Sequence, residues 1–308
     1  MASKKIRIGT RDSILATWQA ETVQHELKKR GYESELVFIK TEGDRVLDTP
    51  LPLMGGKGVF TKALDDALLA EEVDIAVHSL KDIPTTNPEG LRVSSIMKRE
   101  DPRDVLVARK DANFLDDDSY EAVIATSSNR RGGQWINRYP NHKLTDIRGN
   151  VHTRLRKLSD STWDGAIFAA AGLIRVGLDG NISTWLDWMI PAPGQGAVAI
   201  MSREGDRKTE KIMELLHDPE TALCTRTERR LLQILEGGCS APLGAFATLN
   251  GMQLRLQAVL NSVDGKQSER FDRTVQVEHS ASLGEQAAED MMSRDTVMKI
   301  LSDLRKEL

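Results

Sequence analysis

Arginines crowd one stretch of this chain. Between Thr126 and Arg156 stand Arg130, Arg131, Arg138, Arg148, Arg154 and Arg156 together with Lys143, against a single acid, Asp146. This basic window lies inside a chain whose formal net charge is -4. The planar fork of arginine suits two-pronged pairing with carboxylate or phosphate, so the choice of Arg over Lys points to anion recognition. Thr126-Ser127-Ser128 and Arg148-Gly149-Asn150 both fall at expected strand-to-helix turns, where hydroxyls and unpaired amides receive anions. Both turns follow strands, placing them on the usual ligand edge of an open α/β sheet. A polyanionic ligand is the expected partner, and a solvated basic face is the competing reading.

Four further segments carry residue types that could do chemistry. In His78-Ser79-Leu80-Lys81-Asp82 a carboxylate sits beside a lysine at a strand end, suited to general acid–base work or to stabilising a cation. A turn aspartate without catalytic duty is the alternative, and His78 reads as a structural hydrogen bonder. Gly55-Gly56-Lys57-Gly58 lacks the spacing of a phosphate-binding loop and reads as a mobile loop whose Lys57 could reach an anion. In Glu236-Gly237-Gly238-Cys239-Ser240-Ala241-Pro242 a cysteine follows two glycines outside any regular element. That setting suits covalent chemistry through the thiolate, with an unreactive loop thiol as the alternative, whereas Cys224 reads as a packing residue in a helix. Pro193-Gly194-Gln195-Gly196-Ala197 reads as a hinge or a ligand contact. No HExxH, paired CxxC or carboxylate cluster suggests a metal.

The elements that must position these residues alternate. Strands are expected at 6–10, 36–40, 74–78, 105–108, 122–125 and 166–170, and helices from Ser13 and over 60–70, 130–138 and 151–158. This alternation predicts α/β layers with a largely parallel sheet. Crossings near 98–101 and 191–196 divide the chain into a discontinuous lobe (1–98 and 197–217) and a basic lobe (102–192), hinged about a central cleft. Residues 219–308 change character: a helix over 220–235, then strands at 244–249, 254–260 and 270–277 with turns at Asn250-Gly251 and Asp264-Gly265, and one closing helix over 282–304. These predict a smaller α+β domain with an antiparallel sheet. The length of 308 residues suits such a division, and 40% hydrophobic with 29% charged residues is ordinary globular composition. A pI near 5.9 and 5% aromatics argue against a nucleic-acid binder. The two cysteines build no disulfide framework. Neither a signal-type N-terminus nor an apolar run of membrane-spanning length is read in the sequence, so a cytoplasmic protein with no membrane partner is expected; no apolar interface stripe stands out, so a monomer is expected, and no nucleic-acid partner.

Taken in order, IGTRDS, GGKGVFTK, DIAVHSLKDIPT, REDPRDVLV, ATSSNRRGGQ, IRGNVHTRL, AAAGLIRVGL, PAPGQGAVAI and LEGGCSAPLGA resemble the porphobilinogen deaminase (hydroxymethylbilane synthase) family from near the start of the chain into its last domain. The resemblance implies two lobes of the periplasmic-binding-protein type plus the smaller C-terminal domain. It implies a transferase that condenses porphobilinogen head to tail with loss of ammonia, followed by hydrolytic release of the linear tetrapyrrole. It implies a dipyrromethane cofactor held by thioether to Cys239 and priming the chain, and a catalytic Asp82. Positions matching the family's cofactor and substrate contacts are Arg11, Ser13, Lys57, Ser79, Lys81, Thr126, Ser127, Ser128, Arg130, Arg131, Arg148, Arg154 and Gln195, with Arg175 linked to elongation.

The sequence departs from the family pattern at Leu53 and Glu42, which make the loop segment less basic, and at Asn129 and His152. From the residues alone, a two-lobed binding protein and a phosphoribosyl- or nucleotide-handling transferase also compete. The first does not require a loop cysteine or a third domain, and the second should bring a phosphate motif.

Overall fold

The computed structural model of the chain describes residues 5–41, 61–235 and 242–307. Leu53, Glu42, Lys57 and Cys239 lie outside them. The chain divides into two compact units, Met1–Glu100 with Gly196–Leu223, and Asp101–Gln195 with Cys224–Leu308.

In chain order the first unit begins with strand β1 (Ile6–Arg11), helix α1 (Ile14–Lys29), β2 (Ser34–Ile39), α2 (Lys62–Leu69), β3 (Ile75–Ser79) and β4 (Leu91–Ile96). The second contributes β5 (Asp104–Ala108), β6 (Val123–Ala125), α3 (Asn129–Arg138), β7 (Lys143–Thr145), α4 (Val151–Asp160), β8 (Gly165–Ala169), α5 (Ala170–Ile174) and β9 (Thr184–Trp185). The chain then adds β10 (Val198–Arg203) and α6 (Arg207–Glu214) to the first unit. Helix α7 (Pro219–Ile234), strands β11 (Leu243–Asn250), β12 (Gln253–Asn261) and β13 (Ser268–Gln276), and helices α8 (Leu283–Met292) and α9 (Asp295–Glu307) complete it.

The first unit's sheet runs β2-β1-β3-β10-β4, and the second unit's runs β7-β6-β8-β5-β9. Each has three mutually parallel strands and then two antiparallel pairings through β10 or β5. The α/β layering expected from the sequence is present, but the sheets are mixed rather than largely parallel. The strand that crosses from the other half of the chain enters each sheet in the opposite direction. β10 was readable only as a motif, because its AVAI run has no polar alternation to mark it.

That continuity has a packing cause. Strands covered on both faces bury successive residues. Ile75, Val77, Val198 and Ile200 join Val23 and Leu27 of α1 in one core, while Ala76, Ala199 and Met201 join Leu64 and Leu68 of α2 in another. In the second unit Val105, Ala166 and Phe168 pack with Leu158 of α4, and Leu106, Ile124 and Ile167 pack with Trp135 of α3.

Strands β11, β12 and β13 form the antiparallel three-stranded sheet expected from the two turn signals. The closing helix is two helices, a correction to the single one expected. The apolar spacing of four through Met291 jumps to six before Val297, so the stripe loses phase. The Ser293 hydroxyl donates to the Asp290 carbonyl at 2.7 Å, which competes with continuation of the helix.

Candidate functional site

In the first unit, the parallel pairing of β1 with β3 (Gly9↔Ala76) brings their C-terminal ends together. Arg11 closes β1, and Ser13 caps α1 by accepting the Ala16 N–H at 3.3 Å. β3 ends at Ser79 and passes into one 3-10 turn, Leu80–Asp82. Leu80 and Ile83 are both buried. Residues three apart share a face of such a turn, so these two anchors push Lys81 and Asp82 to its outer side. The Leu80 N–H donates to the Ala197 carbonyl at 3.0 Å, tying the turn to the start of β10. Asp82 is exposed, and with Arg11, Ser13, Gln19, Thr61, His78 and Ser79 it lines one pocket. Buried Gln19 donates from Nε2 to the Ser79 hydroxyl at 2.8 Å and so fixes that side chain. Sequence reasoning missed Gln19; its polarity within the apolar stripe of α1 was the available signal.

His78 is buried, and its Nε2 has no hydrogen-bond partner. Burial first, and the Arg11 charge second, push its pKa down to about 4, so the ring is neutral at ordinary pH.

In the second unit the parallel neighbours β6 and β7 place their following turns side by side. The Ser127 hydroxyl joins these turns: it donates to the Ile147 carbonyl and accepts the Ile147 N–H, both at 3.0 Å. Ser128 caps α3 by accepting the Arg131 N–H at 3.4 Å, and the Thr126 hydroxyl accepts the Ser128 N–H at 3.3 Å. After β7, Asn150 caps α4 by accepting the Thr153 N–H, and Arg154 folds back to donate from Nε to the Gly149 carbonyl at 2.7 Å. Gly149 has φ of +113°, and a Cβ there would stand 2.6 Å from Thr153 Cγ2, so the turn between Arg148 and Arg154 requires glycine. Arg148 and Arg154 are half-buried at this turn.

Arg130 and Arg131, expected among the cofactor and substrate contacts, lie on the inner side of the turn. They are 4% and 7% exposed and converge on Asp104, which is 0% exposed. Arg130 donates from Nη1 to Asp104 Oδ2 at 2.7 Å, and Arg131 from Nε to Oδ1 at 3.0 Å. Gln195 joins them, donating from Nε2 to Asp104 Oδ1 at 3.0 Å and to the Pro102 carbonyl at 2.7 Å. Burial alone would raise the Asp104 pKa, but the two guanidinium charges outweigh it and hold the carboxyl well below the usual range. Arg175 is buried just past α5, its N–H bonded to the Ala171 carbonyl. Cys224 is buried, as a packing residue should be.

Hydroxyls and guanidinium groups gathered at two adjacent strand-to-helix turns make a receiving surface for a carboxylate-bearing small molecule. The class is therefore an α/β protein with arginines and hydroxyls gathered at two neighbouring strand-to-helix turns of its second unit. Family models extend this. One described as "Porphobilinogen deaminase, dipyromethane cofactor binding domain" matches residues 6–211, and one described as "Porphobilinogen deaminase, C-terminal domain" matches 222–293. The chain belongs to the porphobilinogen deaminase family. It is 43% identical to the porphobilinogen deaminase of Pelobacter propionicus over 298 residues, covering 96% of each chain. It is also 43% identical to that of Chlorobaculum tepidum, covering 98% of this chain and 99% of the relative. Among solved structures, the methionine binding protein MetQ is 16% identical at a TM-score of 0.41, covering 71% of this chain and 92% of that one. A periplasmic substrate-binding protein of an ABC transporter from Coxiella burnetii is 15% identical at 0.42, covering 70% and 94%. These overlaps are partial, and the architecture rests on the strand orders themselves.

The donor set fits the cofactor named in the family description. A dipyrromethane bears an acetate and a propionate on each ring, and Arg148, Arg154 and the hydroxyls of Thr126 and Ser128 are donors of the kind such side chains require. Among the described residues no group of three or more His, Cys, Asp or Glu could hold a metal, and no helix is long and apolar enough to cross a membrane.

Proposed function

We propose that this enzyme adds four porphobilinogen molecules stepwise to a dipyrromethane tethered through the sulfur of Cys239, and then releases hydroxymethylbilane with water. When bound, the dipyrromethane supplies the free pyrrole α-carbon onto which the first ring is added. In each addition the bond from the substrate's methylene carbon to nitrogen breaks and ammonia leaves. Positive charge spreads over the pyrrole, a carbon–carbon bond forms at the growing end, and a proton is lost from the attacked carbon.

Asp82 is assigned the stabilisation of that charge and the handling of the proton. A carboxylate carried to the pocket by an anchored turn stands near the cation as it develops and stabilises it electrostatically. The observation that carries this reading is the outward placement of Asp82 beside Arg11, Ser13 and Ser79 around one pocket. Arg11, Ser13, Ser79 and Lys81 are assigned to the substrate's acids and N–H in the first unit. Arg130, Arg131, Arg148, Arg154 and Arg175 are assigned to carboxylate neutralisation in the second, with Thr126 and Ser128 donating hydrogen bonds, Ser127 and Gln195 acting behind them, and Lys57 assisting. Ser127, with its hydroxyl committed to Ile147, acts by holding the two turns together. The reading includes a cytoplasmic monomer and a functional division into two lobes and a C-terminal domain from 219 onward.

Intact-mass spectrometry tests the assignment directly. Wild-type protein should exceed its polypeptide mass by one dipyrromethane, and Cys239→Ser should match the bare 34.2 kDa chain. An active wild type with no added mass would overturn the tethered primer. Asp82→Asn should keep the added mass and lose turnover by a hundredfold or more, within the range expected of a lost acid–base or electrostatic group. Near-normal turnover would remove Asp82 from the chemistry.

A further inference from the structure

The placement of Arg130 and Arg131 runs against local electrostatics. They occupy the first turn of α3, where the positive end of the helix dipole disfavours cations. They are adjacent in sequence, nearly buried, and their charges repel. Asp104 at the start of β5 reconciles them: its two oxygens take one guanidinium each. Gln195 binds the same carboxylate, and the Gln195 side chain is held in turn by the Pro102 carbonyl. The main chain beside it is also pinned, because the Gly194 N–H donates to the buried Glu228 carboxylate at 2.7 Å.

We propose that Asp104 is a positioning residue. It fixes Arg130 and Arg131 side by side behind the Thr126–Ser128 turn, with Gln195 as its latch, and leaves an excess of one positive charge in this trio to attract the carboxylates of substrate and cofactor. The inference rests on the carboxylate-binding role assigned to that turn. Asp104 touches neither the reacting atoms nor the ligand. It acts through the two arginines, so its loss should appear in binding rather than in the chemical step.

The test uses Asp104→Asn, which keeps size and shape but turns one acceptor into a donor facing three N–H donors. On protein shown by intact mass to carry its cofactor, KM for porphobilinogen should rise tenfold or more while kcat per loaded chain stays within threefold. The fraction of chains loaded on isolation should fall at least twofold. A purely structural role would lower the melting temperature and leave KM and loading within twofold of wild type, which would overturn the proposal. If Asp104→Asn fails to accumulate folded, Gln195→Leu takes its place. It leaves both ion pairs and removes only the latch, and a KM rise of about threefold is expected, with unchanged KM and loading overturning the proposal. The guanidinium Nε–H signal of Arg131, the one held by Asp104, separates this from the functional reading in nitrogen-15 NMR. It should be slow to exchange in wild type and fast in Asp104→Asn whatever ligand the turn takes, and equal exchange in both proteins would sink the positioning role alone.

Discussion

Two titrating side chains near the pocket of the first unit oppose one another. Native His78 stays neutral down to about 4, while the unfolded chain takes up the proton from 6.5 downward. Stability from this group is therefore lost as pH falls through that window, by about 3 kcal/mol over its full width. Asp65 on α2 is buried with Oδ1 unpartnered, and burial raises its pKa from 3.8 to about 6. Its folded pKa lies above the unfolded one, so its contribution is complete below 3.8 and is lost as pH rises toward 6. Between about 4 and 6 the two nearly offset. Urea midpoints across this window should drop more steeply on acidification in Asp65→Asn than in wild type. In His78→Phe, acidification should raise stability relative to wild type. Parallel curves for all three proteins would show that neither group is perturbed as described.

At the scale of elements, the basic turns depend on helix ends. Ser128→Ala removes the cap of α3 and should cost about 1 kcal/mol. Gly149→Ala meets both a left-handed backbone and the Thr153 methyl. It should cost about 1–3 kcal/mol and, by turning Arg148 and Arg154 off their shared turn, should raise KM for porphobilinogen. Thermal unfolding and steady-state kinetics on Gly149→Ala read the two effects apart, the melting temperature reporting the strain and KM the displaced arginines. Gly133 serves packing instead. A Cβ there would sit 2.8 Å from Asn261 Cβ, so the glycine lets α3 lie close on β12.

For the molecule, one buried carboxylate ties distant parts of the second unit. Glu228 on α7 accepts the Gly194 N–H at 2.7 Å and the Ala247 N–H at 2.8 Å, linking α7 to the PAPGQG segment and to β11. Glu228→Gln keeps one acceptor and sets an N–H₂ against an N–H, a loss of about 1.5–3 kcal/mol. Hydrogen exchange should quicken at the Gly194 and Ala247 amides well before the rest of the unit. Uniform exchange would show that the tie is not local.

Residue type and order alone determined a great deal here: the α/β alternation, the antiparallel end domain, the basic window and the family. The apolar periods, turn dipeptides and motif order that carry these are local properties of the chain. Ser13, Ser128 and Asn150 could be placed at helix starts because a cap needs only its own neighbours. Tertiary structure decided which charges face outward. The arginines of ATSSNRRGGQ look alike in sequence, but Arg130 and Arg131 turn inward because Asp104, from a strand more than twenty residues earlier, lies beneath them. Asp82 turns outward because Leu80 and Ile83 claim the interior. Long-range pairing also set the mixed sheets, since a crossing strand's direction depends on where the chain re-enters. Sequence specifies which groups are available; only packing, by burying one partner against another, settles what each group is left to bind.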